Sequence, residues 1–168
     1  MPEAGKTWAR WLSLSLAIVV ADFATKMWIT RTFAPGEILT VTPFFNLVLV
    51  HNTGAAFSFL AGAGGWQRWF FMVVSIVVSV AIVWMLRRHH GERLMATALA
   101  LVLGGALGNL YDRVTIGQVV DFVQLHAGGY YWPAFNVADS AISIGVVLLI
   151  WDSLRESAGA REARRQHP

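Results

Sequence analysis

Residues 69–86 read WFFMVVSIVVSVAIVWML, and residues 94–111 read LMATALALVLGGALGNLY. Each is an uncharged run of eighteen, and Arg68 and Arg87 close the first. At a rise of about 1.5 Å per residue, such a run makes a helix close to the ~30 Å thickness of bilayer hydrocarbon. A soluble fold could bury helices this apolar only beneath a broad polar shell. Charged residues make up 14% of this chain, against about 25% in an ordinary soluble domain. The two runs are therefore read as membrane spans.

Two further spans follow on either side, at about 11–29 and 137–154. The first begins like a signal peptide, with WLSLSLAIVVA behind Lys6 and Arg10. It continues through Asp22 and Lys26 with no small-x-small site after it, so it is read as a retained span. Nine Lys and Arg lie in the N-terminal tail, the 87–93 loop and the C-terminal tail, against four (Lys26, Arg31, Arg68 and Arg113) on the opposite side. By the positive-inside rule both termini are cytoplasmic. Net charge is +3, but the basic residues sit at span ends, which fits a membrane and not nucleic acid. With no cysteine, disulfides, thiolate nucleophiles and cysteine metal sites are excluded.

The outer segments have their own chemistry. Residues 37–60, EILTVTPFFNLVLVHNTGAAFSFL, carry β-branched and aromatic stretches broken at Pro43 and at an Asn52–Gly54 turn. They are expected to form a small sheet over the bundle mouth. AGAGG at 61–65 is expected to lead into an interfacial helix or flap. In the second outer segment, 112–136, Tyr130, Tyr131 and Trp132 suit the headgroup level. The expected fold is an all-α polytopic membrane protein: four transmembrane helices with a small extracytoplasmic β-sheet cap. It forms one domain over 1–158, followed by a basic cytoplasmic tail at 159–168 that could touch anionic lipid.

Chemistry points to two acids at the outer mouth: Asp121 in VVDFV and Asp139 in FNVADSAIS. A carboxylate beside hydrocarbon needs a partner, a pathway or a reaction. If the 112–136 segment folds back over the start of the fourth span, with GGY as hinge, the pair could share a proton and activate water. The residues alone leave other readings open. Asp139 could be a helix cap, Asp121 could pair with Arg113, or both could lie on an ion or proton path. A small transporter would need polar groups at mid-depth, which the second and third spans scarcely offer. A non-enzymatic scaffold would leave the acids without a role. Asp22 and Lys26 read as a separate i,i+4 couple, and Asp112 with Arg113 as closing the third span and fixing the outer loop. Asn109 and Asn136 could bond across helices or orient a substrate backbone. GGALG at 104–108 reads as close helix packing. Neither His51 nor His126 belongs to a zinc motif, and Ser140 has no serine-hydrolase context.

Five ordered blocks carry a resemblance: DFATK (22–26), FFNLVLVHNTGAAFSFL (44–60), GGALGNLYDRV (104–114), VVDF (119–122) and FNVADSAI (135–142). In this order, within four spans, the chain closely resembles bacterial lipoprotein signal peptidase, also called signal peptidase II. The resemblance implies an aspartyl endopeptidase of the bacterial inner membrane. Such enzymes remove the signal peptide from prolipoproteins whose lipobox cysteine carries a diacylglyceryl group. It implies Asp121 and Asp139 as the catalytic pair, at the periplasmic face. Asp22, Lys26, Asn52, Gly54, Asn109, Arg113, Asn136 and Ala138 would support the pair or the substrate. It further implies no cofactor or metal, membrane lipids as surroundings, a monomer, and inhibition by the cyclic peptide globomycin.

Overall fold

The structure is a computed structural model, and it describes residues 8–54 and 64–166, with side chains through Ser157. Among the described residues, four helices are long and apolar enough to cross a membrane. They are α1 (Ala9–Thr32), α2 (Trp66–His89), α3 (Arg93–Thr115) and α4 (Val137–Gln166). Each outruns its expected span, because flanking polar residues extend the helix past the apolar run. The difference is largest in α4, which continues through 159–166 as helix.

Helix α3 is the centre, and the other three pack on it. Its glycines permit this. A Cβ at Gly104 would stand 2.7 Å from Ile18 Cβ of α1, and one at Gly105 would stand 2.6 Å from Ile142 Cγ1 of α4. Small residues thus let three backbones close together where burying apolar surface gives no drive. The buried face of α1 is Ser15, Asp22, Lys26 and Ile29, a single stripe at helical spacing. Leu86, Leu99 and Leu103 form a packed cluster between α2 and α3.

Between the spans lies a four-stranded sheet in the order β1 (Ile38–Thr42), β2 (Phe45–Asn52), β3 (Val119–Ala127) and β4 (Tyr130–Tyr131). All pairings are antiparallel. The expected cap is present, with Pro43 in the β1–β2 turn and an Asx turn in which Gly54 N–H donates to Asn52 Oδ1 at 2.9 Å. Residues 55–63, where the rest of the expected cap and most of AGAGG fall, lie outside the described residues. The second outer segment differs from expectation. Its GG is the turn of the β3–β4 hairpin, with Gly128 and Gly129 at φ 57° and 85°. Positive φ at both central residues matches the tight turn that strand twist favours.

Strand β3 alternates. Val120 and Phe122 pack with Ile29, Phe33 and Leu49 beneath the sheet. Asp121 therefore faces the other way. Beyond the hairpin the chain returns to β3. Phe135 N–H donates to Val123 O at 3.0 Å, and Val123 N–H donates back at 2.9 Å. That backbone pairing, rather than a glycine hinge, sets the start of α4 beside Asp121.

Candidate active site

Asp121, 2% exposed, accepts Nδ2–H from Asn52 at 3.0 Å on Oδ2 and from Asn136 at 2.8 Å on Oδ1. Asp139, half-buried in the first turn of α4, accepts Asn109 Nδ2–H at 2.7 Å on Oδ1 and Asn136 N–H at 3.3 Å on Oδ2. Asn136 thus holds one carboxylate with its side chain and the other with its backbone. Its Oδ1 also accepts Asp139 N–H at 2.8 Å, completing a reciprocal capping box at the start of α4. Asp139 is a cap partner and a cleft residue together, so the cap reading and the site reading coexist. The sequence signal was N-x-x-D ahead of an apolar run.

Burial first, and then the charge of Asp139, push the carboxyl of Asp121 up from 3.8 to about 7, while the N–H donors of Asn52 and Asn136 pull the other way. A carboxyl that holds its proton near neutrality, beside a second carboxyl, has the makings of an acid/base pair. The two acids, with Asn52 and Asn109, line one end of a cleft of about 530 Å³. Leu125, Trp132, Phe135, Ile142 and Ile144 are among the other residues that line it.

Lys26 is not part of a separate couple. Its Nζ bonds Asp22 at 2.6 Å, Asp112 at 2.8 Å and Asn109 Oδ1 at 3.2 Å. An ammonium has three donors, and all three are used. Asp22 Oδ1 accepts Ala138 N–H at 2.9 Å, which ties α1 to the start of α4. Asp112 Oδ2 accepts Val120 N–H at 3.2 Å, which fixes β3 next to Asp121. Asp112, expected only to close the helix and fix the outer loop, also shares Lys26; its position three residues after Asn109 puts it on the same helix face.

Arg113 forms no ion pair with Asp121. Its guanidinium donates to Asn109 O and to Gly54 O, both at 3.2 Å, and lies over the Phe71 ring at 5.1 Å. It buttresses the turn after β2, the segment that carries Asn52. His126 bonds Asn46 at 3.2 Å and stacks on Tyr131, while His51 is exposed on β2. Among the described residues, three acids with ligand atoms within 4.8 Å of one another are Glu92, Asp152 and Glu156. They stand at the other end of α3 and α4, far from the cleft.

The model of the family described as "Signal peptidase (SPase) II" matches residues 14–155. The chain belongs to the signal peptidase II family. It is 52% identical over 159 residues to a "Lipoprotein signal peptidase" of Burkholderia mallei (strain SAVP1), covering 95% of this chain and 96% of that one. A protein of the same name from Ralstonia nicotianae is 58% identical over 145 residues, covering 86% and 84%. Two solved structures, each described as a "bacterial membrane enzyme", share the fold. One has TM-score 0.82 and 34% identity, covering 90% of this chain and 91% of its own; the other has 0.76 and 35%, covering 87% and 93%. As a signal peptidase II the chain is a membrane-embedded endopeptidase of aspartic type.

Proposed function

We propose that this chain cleaves the signal peptide from diacylglyceryl-modified prolipoproteins just before the lipidated cysteine, with Asp121 and Asp139 as its two catalytic carboxylates. One observation carries the reading: Asn136 bonds both acids at the polar end of a single cleft. Asp139, the less buried acid, takes a proton from water as the water attacks the scissile carbonyl. Asp121 holds the shared proton and gives it up as the C–N bond breaks. Asn52, Asn109 and Asn136 hold the carboxylates. Asp22, Lys26, Gly54, Arg113 and Ala138 hold the elements that carry them.

The substrate keeps its acyl chains in lipid, since each buried methylene favours that by about 0.8 kcal/mol. The cut must therefore occur at the membrane surface. Charge asymmetry supports cytoplasmic termini and a periplasmic site in the inner membrane, with one domain over 1–158 and a basic tail at 159–168 against anionic lipid. The enzyme acts as a monomer, and globomycin occupies the cleft at the two acids.

The test is cleavage of a lipid-modified precursor by the purified protein in detergent with EDTA present. Release of the signal peptide with cysteine as the new N-terminus is expected from wild type, and none from Asp139→Asn. Cleavage by D139N at the wild-type rate would overturn the assignment.

A further inference from the structure

We propose that Ser143 is a lipid-specificity residue, its hydroxyl donating to an ester carbonyl of the diacylglyceryl group while the two aspartates act on the peptide bond. The proposal rests on the peptidase reading above and says which part of the substrate the far end of the cleft takes. Ser143 lines the cleft between Ile142 and Ile144, at its apolar end. It stands four residues after Asp139 on α4, on the same helix face and about 6 Å further into the span. Ser140, also in the cleft, donates its hydroxyl to Asn136 O at 2.9 Å. No such bond engages Ser143 among the described residues, and its side chain is exposed.

The substrate's chemistry meets this pattern. From the scissile bond the cysteine backbone, thioether and glycerol lead to the two ester carbonyls. That tether is longer than one helical turn. With the peptide bond at Asp121 and Asp139 and the acyl chains in hydrocarbon, the esters must lie between, where the cleft is walled by Trp132, Phe135, Ile142 and Ile144. An ester carbonyl there loses its water, and a hydroxyl donor at that depth offsets the loss.

The test pairs two enzymes with two substrates. Full-length protein in detergent is given a synthetic precursor bearing either the diester lipid or its diether analogue, which lacks the carbonyls. Ser143→Ala is expected to lower kcat/KM on the diester about fivefold, the factor for one neutral hydrogen bond. The loss should fall in KM, leave the diether value unchanged, and be restored by Ser143→Thr. Equal losses on both substrates, or none on the diester, would remove the role from Ser143 while leaving the peptidase reading intact. A wild-type enzyme that cleaves neither substrate would overturn that reading and the role of Ser143 with it.

Discussion

The backbone N–H of Asp139 donates to Oδ1 of Asn136 at 2.8 Å, and the backbone N–H of Asn136 donates back to Oδ2 of Asp139 at 3.3 Å. The device that starts α4 is therefore the device that orients one carboxylate of the proposed catalytic pair. Cap and bridge can be separated. Asn136→Ser keeps a capping oxygen but loses the Nδ2 donor to Asp121. Cleavage should fall about a hundredfold, the effect of one lost preorganised donor, and melting should fall too, because Nδ2 also serves Val120 O and Asn109 Oδ1. Asn136→Ala loses both, and its melting temperature should drop further by the equivalent of about 1 kcal/mol of cap. Paired melting curves and rates check this; an active N136S enzyme would sink the bridging role.

Asp121 gives a pH dependence of definite sign. Its carboxyl lies at about 7 in the fold against 3.8 unpaired. Between those values the folded chain holds a proton that the unfolded chain has released, so this group's contribution to stability is lost as pH rises across that window. Asp121→Asn should melt no lower than wild type at pH values above 7, and the gap should close in acid. In wild type, kcat/KM should decline once pH passes about 7, as the proton donor empties. A rate profile still level two units above neutrality would contradict the role given to Asp121.

Lys26 holds two buried carboxylates at once, at 2.6 and 2.8 Å. Replacing it with methionine leaves both without their cation, a loss of about 3–5 kcal/mol for a broken buried pair. Lys26→Met should therefore be poorly folded in the membrane. Adding Asp22→Asn and Asp112→Asn should recover folded protein, measured as the monodisperse fraction after detergent extraction. No recovery in the triple variant would show that Lys26 acts through something other than these charges.

Gly105 tests the helix packing. A Cβ there meets the backbone carbonyl of Ala138, which cannot swing away as a side-chain tip could. Gly105→Ala should push α3 from α4, cost about 1–3 kcal/mol of overpacking, and stretch the 2.7 Å bond from Asn109 to Asp139. Activity should fall more steeply than melting temperature. A fully active G105A enzyme would mean that the two helices can separate without disturbing the acids.

Much was legible in the residues because the membrane makes sequence signals strong. Uncharged runs fixed the spans, and GGALG gave the packing face of α3. TPFF and HNTG gave the turns around β2. The strand around Asp121 was harder to see. Its partners are β2 and Phe135, far along the chain, and a half-apolar VVDFVQLHA reads equally as a loop lying on lipid. Asp22 and Lys26 looked local for a similar reason: i,i+4 spacing explains the pair and conceals the third and fourth members.

Composition and span pattern alone determined that this chain lives in a bilayer with two acids close to the ends of its spans, because hydrocarbon leaves a carboxylate few places to be. Which groups hold those acids was decided only in three dimensions. Antiparallel pairing of β3 with Phe135, and one lysine shared by α1 and α3, bring together residues that no local spacing connects.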